Sequence, residues 1–379
     1  MNDQGNSLFL ITGMLRSGTT LVEKLLDAHI SVRAIYQPFP KLYRHLKQQF
    51  FSQLGYKDIY YVLNDLFNNT CYNRQQFIDF LDSYEISSKD FERVLQSMED
   101  FGGQYTSVKE SKYLIKKMDS KNLINFYSSF LTEICKEDSI KAVGTKEIII
   151  EEFVEYYLNN SIKVILILRD PRDVFTSINV GKGTNYAGEH RPALFHLRNW
   201  RKSVAVANTF KNHKDFLMIR YEDLLLRTNK VLKEITDSLK VNEFPKGFFK
   251  EGIPGDERKN WKGNSSTKTH RGINSKNLEN FKKYLTDNTI NYIEYICKPE
   301  MLSLNYKLFS NASNPENFTE PFQVSEMDKL NPKMSTNPEE LLKESYRLEL
   351  LKGKSASEEE LRQNFYSLEN FKVLSVQDL

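Results

Sequence analysis

The fold of this chain is decided by the stretch Leu8–Thr20, which reads LFLITGMLRSGTT. Leu8–Thr12 is a short apolar run, the pattern of a strand buried on both faces of a parallel sheet. Behind the loop, apolar residues recur with helical spacing from Leu21 to Leu26. A strand, a glycine-bearing loop and a helix in this order predict a phosphate-binding loop, in which backbone N–H groups and the positive end of the helix hold an anion.

The loop departs from the pattern of nucleoside-triphosphate sites, G-x-x-x-x-G-K-[ST], at one position. Gly13, Gly18 and Thr20 fit, but Thr19 stands in place of the lysine that reaches the β- and γ-phosphates. A basic residue, Arg16, lies three positions upstream of Thr19. The loop therefore favours a phosphate-bearing ligand without a triphosphate chain. A plain glycine turn of an α/β protein is the alternative at this point.

Length and composition limit the number of domains, the kinds of ligand and the cellular compartment that we expect. The 379 residues, 40% of them hydrophobic, suffice for one large α/β domain with an appendage or for two modest domains. A net charge of +3 does not favour general nucleic-acid binding, so we expect any anion site to be local. Cys71, Cys135 and Cys297 fit neither a disulfide framework nor a metal-ligand spacing, which favours a reducing compartment. The sequence shows no signal peptide and no apolar run of membrane-spanning length, so we expect a cytoplasmic protein.

Residues 36–135 read as a helical insertion that is rich in aromatic residues. Phenylalanines and tyrosines crowd its first part: Tyr36, Phe39, Tyr43, Phe50, Phe51, Tyr56, Tyr60, Tyr61 and Phe67. One interpretation is a helical subdomain with an aromatic core. The other is an insertion that lines a pocket for an acceptor molecule, since such pockets are built from aromatic side chains.

A second apolar run, Val164–Leu168, ends in a cluster of charged residues, Arg169-Asp170-Pro171-Arg172-Asp173. Open α/β sheets bind their ligands at the carboxyl ends of such strands. Arg169 and Ser177 are eight residues apart and could both reach one phosphate group. Pairing of the two arginines with Asp170 and Asp173 in a structural network is the alternative.

These motifs together resemble the sulfotransferases that use 3′-phosphoadenosine 5′-phosphosulfate (PAPS). Residues Arg16–Leu21 resemble the loop for the 5′-phosphosulfate, and Arg169–Ser177 resembles the motif for the 3′-phosphate. The segment Arg16–Arg33 is most similar to tyrosylprotein sulfotransferases and their bacterial relatives. The family's later strand and its cofactor-covering segment resemble Met218–Leu224 and Lys262–Ser266 with Gly272 and Ile273. The resemblance spans about residues 7–308, which predicts a catalytic domain at 1–308 and an extension at 309–379.

The resemblance implies a parallel sheet with helices on both faces, the helical insertion and a helical C-terminal tail. It also implies PAPS as the donor, 3′,5′-bisphosphoadenosine (PAP) as the product, in-line transfer to a hydroxyl or less readily an amine, and no metal. The residues that it assigns to donor binding are Arg16, Ser17, Gly18, Thr19, Thr20, Arg169, Ser177, Tyr221, Lys262 and Gly263. Two cations, Arg16 and Lys146, take the places of catalytic groups that stabilise charge on the transferred and leaving groups.

The general base is the point at which the sequence departs from the family. Gln37 occupies the position at which the tyrosylprotein enzymes carry a glutamate, and a neutral amide cannot accept the proton. We take Gln37 as a residue that contacts the acceptor. Glu147, next to Lys146, is the leading base candidate, and His190 and His270 are the alternatives. The acceptor could also be acidic enough to need no base, or the protein could be a silent nucleotide-binding module.

The tail after Tyr306 lies outside the resemblance. Asn311–Asn337 reads as a linker, Pro338 as the start of a helix, and Ser357 with Glu360 as a capping box. The tail helices could pack back on the main domain or dock a partner. A P-loop kinase or NTPase with Asp170 at its acidic strand end is the competing function. The class of acceptor (small molecule, saccharide, lipid or peptide) and the oligomeric state stay open.

Overall fold

The computed structural model describes residues 6–55, 73–102, 122–134, 139–179, 193–249, 252–253, 273, 275, 278–312 and 338–376. Its centre is a sheet of five parallel strands in the order β2-β3-β1-β4-β5. The strands are β1 (Ser7–Thr12), β2 (Val32–Tyr36), β3 (Ala142–Lys146), β4 (Lys163–Leu168) and β5 (Phe216–Arg220). All strands point the same way, so their carboxyl ends meet at one edge, where doubly wound sheets bind their ligands.

Helices surround the sheet and fill the connections between strands. The helices are α1 (Thr19–Asp27), α2 (Pro40–Gln53), α3 (Arg74–Ser83), α4 (Ser88–Ser97), α5 (Leu123–Ile134), α6 (Val154–Asn159), α7 (Pro171–Asn179), α8 (Ala193–Phe210), α9 (Tyr221–Leu226), α10 (Thr228–Leu239), α11 (Phe281–Tyr284), α12 (Asp287–Ser303), α13 (Pro338–Leu351), α14 (Glu358–Phe365) and α15 (Leu368–Leu374). A π-helical turn, Met98–Gly102, follows α4, and a 3₁₀ turn, Glu151–Phe153, precedes α6.

The two faces of the sheet bury separate hydrophobic cores. In β1, Leu10 packs into one core while Phe9 and Ile11 pack into the other, because successive side chains of a strand point to opposite faces. We call the face that packs on α1, α9 and α10 the α1 face, and the face that packs on α2, α5 and α8 the α2 face. The prediction of a parallel sheet with helices on both faces is confirmed.

Strand β2 was missed by the sequence analysis, which assigned its last residue, Tyr36, to the helical insertion. The strand is five residues long and carries the partly exposed Arg33 at its second position. Within the described part of the chain it pairs with β3 alone. Val32 and Ala34 face the α1 core, whereas Ile35 faces the other core. A short edge strand with a charged residue lacks the continuous apolar run by which β1 and β4 were recognised.

The aromatic residues of the insertion form part of the core on the α2 face. Phe39 packs edge to face against Phe126 and Phe130 of α5, and Phe50 does so against Phe77 of α3. These rings are almost completely buried. The described part of the insertion is therefore a helical layer with an aromatic core. Four of the aromatic residues noted above, Tyr56, Tyr60, Tyr61 and Phe67, lie outside the described residues.

The tail helices pack back on the main domain. Glu344 of α13 is buried between Arg198 and Arg201 of α8, and Arg347 of α13 pairs with Glu300 of α12. Ser357 caps α14 by accepting a hydrogen bond from the Glu360 N–H at 3.2 Å, which is one half of the predicted capping box, and the Glu360 carboxylate accepts a hydrogen bond from the Tyr346 hydroxyl. Of the two interpretations of the tail, packing on the main domain is the one found. Most of the predicted linker, residues 313–337, lies outside the described residues.

Candidate active site

Each of the five strands delivers a predicted site residue at its carboxyl end. The glycine loop follows β1, Gln37 follows β2, Lys146 ends β3, Arg169 follows β4 and Tyr221 follows β5. Lys146 lies level with Ile11 of β1 and with Tyr36 of β2 in the strand register. Residues that are far apart in the sequence are therefore neighbours along one edge of the sheet.

The loop between β1 and α1 adopts a conformation that its sequence permits. Gly13 and Gly18 have φ angles of 147° and 101°, and Arg16 between them has a φ of 65°. Gly18 caps α1, so the N–H groups of the first helical turn point out of the helix, toward the region in which an anion is stabilised. The Ser17 hydroxyl donates to the Met14 carbonyl oxygen at 2.6 Å, so this side chain shapes the loop.

Tyr221 follows β5, two strands away from β1 in the sheet, and its ring contacts the loop. A Cβ added to Gly18 would lie 2.3 Å from Cδ2 of the Tyr221 ring, so only glycine leaves room for this contact. The Arg169 guanidinium lies over the same ring, 4.7 Å from its centroid. Gly18, Tyr221 and Arg169, predicted separately from the sequence, therefore form one packed unit.

Arg16 and Ser177 are brought into direct contact. Arg16 Nε donates to Ser177 Oγ at 2.9 Å, and Arg169 Nη1 donates to the Arg16 carbonyl oxygen at 3.2 Å. The indole N–H of Trp200 in α8 donates to the Arg169 carbonyl oxygen at 2.7 Å. The two motifs, 161 residues apart from Arg16 to Ser177, thus meet in one cluster that a phosphate group could bridge.

The two arginines of the charged cluster have different surroundings. Arg172 is buried between Asp170 and Glu294, each at 2.5 Å, and lies over the Phe281 ring, so its role is structural. Arg169 lies 3.7 Å from Asp173, whose carboxylate also accepts hydrogen bonds from two backbone N–H groups of the segment before α11 and of α11. Both arginines therefore pair with an aspartate, as the structural alternative expects, but Arg169 also donates a hydrogen bond to the glycine loop.

Lys146 is buried on the α1 face of the sheet. Its Nζ donates to Gln37 Oε1 at 3.2 Å and lies 4.2 Å above the Tyr36 ring. Burial lowers the pKa of Lys146 to about 8, and Glu23 is the strongest of the neighbouring charges that oppose this effect. Gln37 itself has a φ of 45°, so the chain turns sharply after β2 to bring this amide to the lysine.

Glu147 points away from Lys146, into the α2 face. Its Oε1 accepts a hydrogen bond from the Phe39 N–H at 2.8 Å, and the side chain is fully buried. Its charge acts on Tyr43 and Tyr127, two buried tyrosines on that face. Burial raises the pKa of Glu147 to about 8, although the Phe39 N–H and Lys146 favour the ionised form. Lys146 and Glu147, which are adjacent in the sequence, therefore point to opposite faces of the sheet.

Glu23 of α1 is a fully buried carboxyl that none of the sequence motifs includes. Its closest charged contact is Lys24 Nζ, 3.3 Å from Oε1, and its charge acts on Lys146. Burial raises the pKa of Glu23 to about 8. The available signal was its helical register: Glu23 lies four residues after Thr19 and three after Thr20, on the side of α1 that begins in the loop.

Several predicted residues lie outside the described part of the chain: Lys262, Gly263, His190 and His270. No helix among the described residues is long and apolar enough to cross a membrane. Within the same residues, no three His, Cys, Asp or Glu side chains are grouped so that they could hold a metal ion. Independence of metal stays a prediction.

Solved structures of sulfotransferases resemble the chain. The sulfotransferase domain of the curacin biosynthetic pathway is 18% identical, with a TM-score of 0.48, over 80% of this chain and 99% of its own. Sulfotransferase STF9 from Mycobacterium avium is 11% identical, with a TM-score of 0.40, over 80% of this chain and 78% of its own. Mouse sulfotransferase SULT7A1, complexed with PAP, is 14% identical, with a TM-score of 0.38, over 78% of this chain and 84% of its own. No curated protein sequence matches the chain.

Family membership rests on a broader match than these structures, whose TM-scores are below 0.5. The model of the sulfotransferase domain family matches residues 7–305, more than three quarters of the chain. This match confirms the resemblance seen in the two motifs and disfavours a P-loop kinase or NTPase. The chain belongs to the family of PAPS-dependent sulfotransferases.

Proposed function

We propose that the protein transfers a sulfuryl group from PAPS to an acceptor hydroxyl, using the residues at the five strand ends. The observation that carries this proposal is the meeting of the two motifs: Arg16 Nε lies 2.9 Å from Ser177 Oγ, and Arg169 donates to the Arg16 carbonyl. This cluster is polar, cationic and adjacent to a glycine loop at a helix N-terminus, which suits a ligand with phosphate groups at two ends.

The residues fit the donor by their chemistry. The first turn of α1, with Thr19 and Thr20, supplies donors for the 5′ end, and Arg169 with Ser177 supplies donors for the 3′-phosphate. The ring of Tyr221, held between Gly18 and Arg169, offers a flat surface beside the loop. PAPS itself supplies the activated sulfuryl group. Lys262 and Gly263 complete the predicted donor site.

Two cations are proposed to stabilise charge during transfer. Arg16 lies in the loop, where negative charge develops on the leaving phosphate, and Lys146 lies at the end of β3 beside Gln37. A preorganised cation in a dry site stabilises developing charge better than water does. Burial of Lys146 keeps its ammonium group out of bulk water, and Gln37 and the Tyr36 ring fix its position. Glu147, the base candidate that the sequence predicts, has its carboxylate on the α2 face, away from Lys146.

Donor binding tests the proposal directly. Isothermal titration should show that PAP binds far more tightly than adenosine 5′-monophosphate, because a charge-assisted hydrogen bond to the 3′-phosphate contributes about 1.5–3 kcal/mol. Arg169→Ala should remove this preference while leaving 5′-monophosphate binding nearly intact. Equal affinities of the wild-type protein for the two nucleotides would refute the assignment of Arg169 and Ser177. Tighter binding of ATP with magnesium would favour the kinase alternative.

The domain division, the location in the cell and the class of acceptor are further predictions. The division into a catalytic domain at 1–308 and an extension at 309–379 stays a prediction, as does a cytoplasmic location, which rests on the cysteine content. We expect the acceptor to be a hydroxyl compound such as a small phenol, a saccharide, a lipid or a peptide. A screen of such compounds with labelled PAPS would identify it.

A further inference from the structure

Glu23 is a buried carboxyl that the proposed function does not use. Its side chain is fully buried, and among the described residues Oε2 has no hydrogen-bond partner. Oε1 has an ion-pair contact with Lys24 Nζ at 3.3 Å, to the residue next to it in the chain. Buried polar atoms in folded proteins are nearly always hydrogen-bonded, so an unsatisfied carboxylate oxygen beside a reaction site calls for an explanation.

We propose that Glu23 is the general base that accepts the proton of the acceptor hydroxyl, a role that rests on the proposed function. Glu23 and Lys146 share the α1 face of the sheet, at the edge where the glycine loop begins α1. The family glutamate that Gln37 replaces would also have been beside Lys146, since Gln37 Oε1 lies 3.2 Å from Lys146 Nζ. The carboxylate missing at position 37 is thus supplied by α1, from a group whose charge acts on the same lysine.

The geometry favours Glu23 over Glu147 for this role. Glu147 points into the α2 face, where the Phe39 N–H holds one of its oxygens at 2.8 Å. Glu23 has the stronger electrostatic interaction with Lys146, even though Glu147 is the sequence neighbour of that lysine. A base must be close to the group that receives the sulfuryl, and Lys146 marks that place. Glu23 therefore lies on the productive side of β3.

The surrounding charges are compatible with a base that works near neutral pH. The charged groups that act on Glu23 are Lys24 and Asp27 on α1 and Lys146 on β3. Burial raises the pKa of Glu23 to about 8, against the attraction of the two lysines. A carboxylate with such a pKa is a much stronger base than an exposed one, and part of it is ionised at the pH of the cell.

The proposed step is balanced in atoms and electrons. The acceptor oxygen forms a bond to sulfur with its own electron pair while the bond from sulfur to the 5′-phosphate oxygen breaks and leaves its pair on that oxygen. The acceptor O–H bond breaks in the same step, and its proton moves to an oxygen of Glu23. Ionised Glu23 becomes a neutral carboxylic acid, which later returns the proton to solvent. Arg16 and Lys146 stabilise the phosphate and sulfuryl oxygens during this exchange.

The test compares Glu23→Gln with Glu147→Gln and with Asp27→Asn, a matched carboxylate-to-amide change on the next turn of α1. Transfer from PAPS is measured against pH, with the phenols and alcohols that the wild type accepts, ranked by acidity. Glu23→Gln should lower kcat by about 10²–10⁴-fold and remove the rise of kcat as pH approaches about 8. The loss should be smaller for more acidic phenols. Asp27→Asn and Glu147→Gln should keep the rise of kcat as pH approaches about 8.

Two readouts do not depend on turnover. PAP affinity of Glu23→Gln should stay within about threefold of wild type, because the base faces the acceptor and not the nucleotide. The wild type should lose stability as pH rises from about 4.5 to about 8, because burial disfavours the ionised form of Glu23 and of Glu147 in the folded protein. Glu23→Gln should lose less stability over this range than the wild type, and Glu147 should account for the loss that is left. A residue that merely holds the structure together would instead make the variant less stable throughout.

The outcomes separate this proposal from the proposed function. The assignment would be overturned if Glu23→Gln kept the kcat of the wild type and the rise of kcat with pH. If only Glu147→Gln lost this rise, Glu147 would be the general base. Failure of the wild type to bind PAP would instead refute the donor site. If Glu23→Gln does not fold, Glu23→Asp serves as the test: it should keep the rise with pH at reduced kcat, and an unchanged kcat would overturn the proposal.

Discussion

Glu344 offers a quantitative test of how the tail is held. Its carboxylate is buried between Arg198 and Arg201, with Arg198 Nε at 2.7 Å and Arg198 Nη2 at 2.6 Å. Burial acts to raise the pKa of Glu344, but the charges of Arg201 and Arg198 outweigh it and hold the pKa at about 2. The two arginines therefore stabilise the ionised carboxylate in the folded state.

The magnitude follows from the pKa of the folded state. A fall from the ordinary value of 4.5 to about 2, at about 1.36 kcal/mol per pKa unit, corresponds to about 3 kcal/mol of stability at neutral pH. Because the folded pKa is depressed, this stability is present above about pH 4.5 and is lost as pH falls toward about 2. Glu344→Gln removes the negative charge that lies between two buried guanidinium groups, for which a loss of about 3–5 kcal/mol is expected.

The assay is urea unfolding of the full chain, followed by circular dichroism, with hydrogen exchange of α13 as a local readout. The matched control is Glu349→Gln on the same helix, whose carboxylate pairs with Lys354 at 2.7 Å but has 56% of its side chain exposed. The control should cost about 0–1 kcal/mol. Unfolding of Glu344→Gln and of this control at the same urea concentration at pH 7 would refute the role of Glu344. So would a difference in free energy of unfolding between the two variants that does not become smaller as pH falls toward about 2.

Three further predictions concern the site. Gly18→Ala should abolish PAP binding in a titration, because its Cβ would lie 2.3 Å from Tyr221 and its φ of 101° is unfavourable for alanine; unchanged affinity would contradict the packing. Gln37→Glu should move the alkaline fall of kcat above about pH 8, because a carboxylate placed 3.2 Å from Lys146 Nζ raises its pKa; a fall at lower pH would contradict this. Arg16→Ala should reduce kcat by about two to three orders of magnitude and PAP affinity less, measured by transfer kinetics and titration; a loss confined to binding would make Arg16 a binding residue.

The parts of the molecule that the sequence predicted are those encoded by short local patterns. A strand buried on both faces needs a continuous apolar run, so β1 and β4 stand out in the sequence. The loop needs glycine where φ is positive or a side chain would collide, so Gly13 and Gly18 stand out as well. Arg169 was recognised in the same way, at the end of an apolar strand.

The sequence did not determine which of two like residues takes which role. Arg169 and Arg172 carry the same charge three positions apart, yet only Arg172 is enclosed by Asp170 and Glu294. Glu294 comes from α12, more than 120 residues later in the chain. An ion pair between distant segments leaves no local pattern, so the division of work between the two arginines is visible only in the folded protein.

By itself, then, the sequence determined the family and the glycine loop, and it predicted the donor motifs and two catalytic cations, because each is encoded by a local run of residues. The tertiary structure decided which face each acidic group serves. Lys146 and Glu147 are adjacent in the chain but lie on opposite faces because a strand alternates its side chains. In the sequence, Glu23 is one polar residue of a helix. Packing of α1 against β2 and β3 buries it on the sheet face that Lys146 shares, where loss of hydration raises the pKa of Glu23 to about 8.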